Sequence, residues 1–129
     1  MARAENVQTI SAQAGEALPI FRFVHLMADG KFDLVDTDDL RADAVTAEAA
    51  AADGDTIAVA PTSQPAIMLV EASAAISVGD LVAADGGTGK AKTAAAAGSG
   101  LYSCGVAMTA AAADGEVIEV LLHLSANQA

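Results

Sequence analysis

Only one cysteine, Cys104, occurs among 129 residues, which excludes an intrachain disulfide framework and a multi-cysteine zinc site. Flanked by Tyr102 and Val106 in a strand-like stretch, that thiol is expected to be a small buried hydrophobe. Aromatic residues make up 3% of the chain, and much of its 53% hydrophobic fraction is alanine. The core should therefore be thin and aliphatic, with self-association or a partner surface adding stability. Basic residues are scarce as well: six against seventeen acidic ones leave a net charge of -11. Such a chain repels nucleic-acid phosphates and anionic membranes, so neither is expected as a partner. No apolar run is long enough to span a bilayer, and no apolar stretch follows a basic start, so a soluble product without a secretory leader is expected.

Catalytic patterns are equally sparse. His25 and His123 lie in different strand-like segments, without a His-x-His or His-Glu-x-x-His spacing, and read as surface or edge histidines. No serine sits in a Gly-x-Ser-x-Gly elbow. Gly86-Gly87-Thr88-Gly89-Lys90 has the glycines and lysine of a phosphate loop, but Ala84 and Ala91 occupy the positions where that loop needs glycine and a hydroxyl. It reads as a hairpin tip. Asp33, Asp36, Asp38 and Asp39 lack the glycine and distal glutamate of a calcium-binding EF-hand loop and read as a solvated loop. Neither an enzyme nor a cofactor or metal site is expected.

What the chain does have is a phrase used twice. Ala51-Ala52-Asp53-Gly54-Asp55-Thr56-Ile57-Ala58-Val59 returns as Ala112-Ala113-Asp114-Gly115-Glu116-Val117-Ile118-Glu119-Val120. Asp-Gly reverses the chain cheaply, because glycine enters the left-handed region without steric cost, and the Ile-x-Val that follows has the spacing of one sheet face. At the same offset Ala44-Val45 falls on Gly105-Val106, and Ala28-Asp29-Gly30-Lys31 resembles Ala84-Asp85-Gly86-Gly87, with a longer glycine segment in the second copy. These matches predict a single domain over 21–124 with two related halves, about 21–60 and 76–124. Each half should run strand, Asp-Gly turn, strand, alanine-rich connection, Asp-Gly turn, strand. The expected class is all-β, a small β-sandwich or barrel.

Residues 1–20 read as an N-terminal arm closed by Pro19, extended or disordered, in which Val7, Thr9 and Ser11 alternate with Gln8 and Ile10. Val7, Thr9 and Ile10 are the candidate contacts by which the arm would add a strand to a partner's sheet edge. Phe21-Arg22-Phe23-Val24-His25-Leu26 is dense in aromatic and branched residues and reads as the first convincing strand, with Phe21 and Phe23 as core or oligomer contacts. Lys31 to Val35, Ala44 to Ala47, Ile57 to Val59, Leu81-Val82, Leu101 to Met108 and Glu116 to Leu124 read as further strands. Tyr102, Cys104, Val106 and Met108 should share one face. Ala66 to Glu71, apolar on both faces, is expected to be a central strand, and 125–129 a frayed tail.

Ala75-Ile76-Ser77-Val78-Gly79-Asp80-Leu81-Val82, then Asp85-Gly86 and Lys90, Gly105-Val106-Ala107-Met108 and Asp114 to Val120 resemble the small capsid decoration, or cement, proteins of tailed bacteriophages. The first half fits the same pattern from Ala28 to Val59. The resemblance implies a compact β domain made in the host bacterial cytoplasm. In the virion it would sit on the capsid exterior, bind the major capsid protein, stabilise the expanded shell and associate as a homo-oligomer, a trimer by preference. It carries over no catalytic residue. The alternatives are a minor tail or fibre-associated structural protein, a non-viral β binding module and an enzyme. One such module, the biotinyl-type carrier, is disfavoured because Lys31 and Lys90 each follow glycine, where that carrier presents its lysine after methionine.

Overall fold

The computed structural model describes residues 4, 6–37, 40–94 and 102–127, the last four of them by backbone alone. Ten strands follow in order: β1 (Ile10–Gln13), β2 (Phe23–Leu26), β3 (Phe32–Leu34), β4 (Ala44–Thr46), β5 (Thr56–Pro61), β6 (Ile67–Glu71), β7 (Leu81–Ala84), β8 (Ala91–Thr93), β9 (Tyr102–Ala107) and β10 (Val117–Asn127). They form two five-stranded antiparallel sheets, ordered β1-β5-β4-β2-β3 and β6-β10-β9-β7-β8, and no helix occurs among the described residues. The expected all-β class is what the chain adopts, and of the two forms expected, sandwich or barrel, the pair of sheets is consistent with a small β-sandwich.

The two sheets have one topology, the second continuing the first five strands later. Each is drawn round on itself by a parallel bridge between its edges, Ala14 to Phe32 in the first and Ala72 to Ala91 in the second. The repeated phrase sets this closure. Gly54 N–H donates to the Ala14 carbonyl at 2.7 Å, and Gly115 N–H to that of Ala72 at 2.9 Å. Asp55 Oδ2 accepts from the Ala51 and Ala52 amides, as Glu116 Oε2 does from that of Ala112. The alanine-rich connections are held alike, through reciprocal bonds of Leu18 with Ala50 and of Ile76 with Ala111. Small side chains there let the connection lie flat against the sheet.

The duplication is longer than the repeat in sequence shows. β1 and β6 are the first strands of the two copies, so Ile10 lies within the first sheet, where it pairs with Val59 of β5. Of the residues expected as an arm, 10–13 are thus a strand, and Ala14 and Leu18 are buried. β6 is an edge strand and not a central one: it pairs with β10 alone, and Met68 and Val70 are buried in the apolar cluster that reaches into the first half, while Leu69 is half-buried. At the other end β10 runs on through 125–127, where a tail is expected.

A register shift between Val82 and Ala83 marks a bulge in the pairing of β7 with β9. It turns Cys104 into the core, while Val106 faces outward beside Leu121, so these two do not share a face as strict alternation predicts. The thiol lies 3.6 Å from the Val82 carbonyl, and burial pushes its pKa well above the usual thiol range. It is the buried hydrophobe expected of it.

One backbone position differs between the copies. Gly79 has φ +90°, in the left-handed region, and donates to the Ala107 carbonyl; at the same place in the first copy Phe21 has φ +62° and donates to the carbonyl of Thr46. A Cβ on Gly79 would touch nothing within 4 Å, so alanine there meets backbone strain alone. Gly79→Ala is expected to lower stability by about 1–2 kcal/mol, read as a lower denaturant midpoint at unchanged slope.

Candidate interaction surfaces

The seam between the copies is built from one face of the first and a different face of the second. On the first, the register places Phe23, Val45 and Ala60 in a row across β2, β4 and β5, and all three are fully buried. They share an apolar cluster with Met68, Val70, Ile118 and Val120 of the second copy. The glycine segment of the second copy closes over them. Phe23 N–H donates to the Gly89 carbonyl at 2.7 Å, Gly87 N–H donates to that of Val35 at 3.0 Å, and Glu71 N–H donates to that of Phe21 at 3.0 Å. The phosphate-loop look-alike is therefore a structural clasp. Gly89 is required there, because it has φ +68° and a Cβ would stand 2.7 Å from the Phe23 carbonyl oxygen.

Charge follows the same line. Arg22 donates from Nη1 to the Thr88 carbonyl at 2.9 Å and pairs through Nη2 with Glu71 at 3.4 Å, while Lys90 reaches Glu71 at 3.0 Å and Asp114 at 2.7 Å. Asp114 and Glu71 raise the Lys90 ammonium above its ordinary value, and Lys90 in turn holds the Asp114 carboxyl below its own. The first copy repeats the pair as Lys31 with Asp53 at 2.9 Å. Both lysines fasten the hairpin before β3 or β8 to the repeated Asp-Gly turn.

Asp33 behaves differently. Its Oδ1 is buried with no hydrogen-bond partner among the described residues, against Gly15, and burial, with Glu16 next in weight, raises its carboxyl above the usual 3.8. Folding thus favours the protonated form. The charged form opposes folding above the raised pKa, and the opposition disappears as the pH falls below the ordinary value. Asp33→Asn is expected to stabilise the protein at neutral pH, with the gain shrinking to nothing in acid. Denaturant titrations of both proteins across that range check it.

Val7 is half-buried against the core, Thr9 is exposed, and Ile10 is 51% exposed on β1, whose outer side pairs with no strand among the described residues. Gln8 and Gln64 exchange two bonds, N–H to Oε1 at 2.8 Å and Nε2–H to the Gln8 carbonyl at 2.9 Å, which ties the segment before β1 to the link between the sheets. An open groove of about 540 Å³ lies there, lined by Asn6, Val7, Gln8, Gln64 and Pro65. Phe23 is a core residue, whereas Phe21 is half-buried at the seam.

His25 Nδ1 stands 3.0 Å from the Arg41 carbonyl and 3.2 Å from Asp43 Oδ2, two acceptors, so that nitrogen carries a proton. No group of three metal-ligating side chains occurs among the described residues; Asp38 and Asp39 of the acidic cluster lie outside them.

One surface escapes the reading of the sequence. The counterpart of the buried row is Leu81, Val106 and Leu121, in the same register across β7, β9 and β10, with Leu81 40% and Leu121 41% exposed. Aligning the copies strand by strand would have shown it, since Leu121 replaces the small Ala60 at a site facing solvent.

Neither a protein-family model nor a curated protein sequence matches the chain. Among solved structures it is similar to head fiber gp8.5 N base in bacteriophage phi29, with a TM-score of 0.68 and 19% identity, over 92% of this chain and 96% of that one. At that identity the likeness is one of fold.

Proposed function

We propose that this chain is a structural protein of a bacteriophage virion, mounted on the outside of the head, where it binds the major capsid protein and stabilises the expanded shell as a decoration, or cement, protein. The observation that carries the reading is the fold shared with a head fiber over nearly the whole of both chains. The surfaces suit that work. A shell-binding protein acts through many weak contacts that add up only on the assembled lattice, and it needs faces and edges more than a pocket. The free edge of β1 and the groove at Val7 are such features. A net charge of -11 keeps an outward face soluble. In this reading the chain is made in the host cytoplasm, works as a homo-oligomer, a trimer by preference, and catalyses nothing.

Val7, Thr9 and Ile10 are the proposed shell contacts, with Ile10 offering the open side of β1 to a capsid strand. Deleting residues 2–8 spares that strand and should weaken shell binding while the domain stays folded.

A fibre-associated protein is the second reading, favoured by the same neighbour being a head fiber. Cosedimentation with expanded, decoration-free heads separates the two. Saturable binding with a raised shell melting temperature supports the cement role, saturable binding without that rise supports a fibre attached to the head, and no binding overturns both.

A further inference from the structure

The internal duplication says what covers the exposed apolar row. Within the chain, the face Phe23-Val45-Ala60 of the first copy is buried beneath the Gly87–Gly89 clasp and Glu71 of the second. These are two different surfaces, so the contact is head-to-tail. The second copy presents the same face again as Leu81-Val106-Leu121, uncovered, and the first copy presents the counterpart of the clasp, also uncovered. The correspondence is fixed by equivalent bonds: Met27 N–H donates to the Lys31 carbonyl as Asp85 N–H does to that of Lys90, and Gln13 faces Thr56 across β1 and β5 as Glu71 faces Val117 across β6 and β10.

We infer that the chain associates with further copies of itself head-to-tail, the Leu81-Val106-Leu121 face of one protomer receiving the Leu26-Met27 corner and β2–β3 turn of the next, in the manner in which its own halves meet. Two observations argue for a second copy as the occupant. Leu26 and Met27 are 44% and 39% exposed at the places where the clasp has the buried Ala84 and the half-buried Asp85, so both surfaces offer apolar side chains to each other. Charge is also compatible. Across the internal seam Arg22 meets Glu71, whereas the open face has Asp80 in place of Arg22, and the open corner has Gln13 in place of Glu71, with Lys31 beside it. The exchange sets Asp80 near Asp53, the counterpart of the Asp114 that Arg22 acts on, and Lys31, paired with Asp53 at 2.9 Å, offsets that repulsion. Contacts of this kind close into a ring or run on as a filament, according to the rotation between copies.

The inference rests on the duplication and not on where the protein is mounted, so its test is independent of head binding. Sedimentation velocity and light scattering of the full chain, in rising salt to screen the negative charge, should show assembly that strengthens with protein concentration and with salt. Leu121→Glu should destroy the face, Met27→Glu the corner, and each variant alone should be monomeric. Mixed in equal amounts, they retain one good surface each and should form a dimer that grows no further. Leu81→Lys and Leu26→Lys provide a second pair, and the melting curve of each variant checks that it is folded. A wild-type chain that stays monomeric under all conditions would overturn the inference, as would assembly abolished by Leu121→Glu but unaffected by Met27→Glu, which marks a face-to-face dimer.

Discussion

Phe23→Ala is expected to destabilise the protein by about 3–5 kcal/mol, a large share of what holds a domain of this size together. Phe23 is the largest side chain buried completely, in a chain with only four aromatic residues, one tyrosine and three phenylalanines. Its neighbours in the row are Val45 and Ala60, too small and too firmly held in their strands to collapse into the space left behind. Since the ring lies between the sheets, the lost contacts belong to both copies. Chemical denaturation followed by far-UV circular dichroism measures the effect, and a loss under 2 kcal/mol would mean that the seam repacks easily.

Gly89→Ala should cost about 2–5 kcal/mol, from two sources: roughly 1–2 for placing a Cβ at φ +68°, and a further 1–3 for overpacking. The added methyl would stand 2.7 Å from the Phe23 carbonyl and 2.8 Å from Leu34 Cδ2, so the clasp must lift, weakening the bond that Phe23 N–H makes to this same residue. Gly87→Ala is the control. Gly87 also has positive φ, +95°, but a Cβ there meets nothing within 4 Å, so it should lose the conformational part alone. Equal losses at the two positions would show that the clasp yields without cost.

The sequence made the all-β class, the hairpins and the two related halves legible, because Asp-Gly turns and period-two alternation are local signals that tertiary packing rarely overrides. Ala44 to Thr46 became a strand despite the helix propensity of its surroundings, for it must pair with both β2 and β5. What stayed hidden depended on pairing across distance. β1 carries almost no hydrophobic signal, since Ser11 and Gln13 face solvent, and it is a strand because Val59, Ala58, Ile57 and Thr56 lie ready to bond it. The edge position of β6 could not be read from its composition, because burial by a neighbouring sheet and burial at the centre of one select the same residues. The clasp was legible as a glycine-rich loop and no more, as its task is set by what lies against it.

Each sheet is made from one continuous stretch of chain, and that has a kinetic consequence. The first copy can close during synthesis before any strand of the second has left the ribosome, so loop-closure entropy is met within short segments. Yet its row of Phe23, Val45 and Ala60 stays wet until the second copy arrives. A stalled or truncated product would expose that row to its neighbours, and the most hazardous moment for aggregation falls halfway through translation.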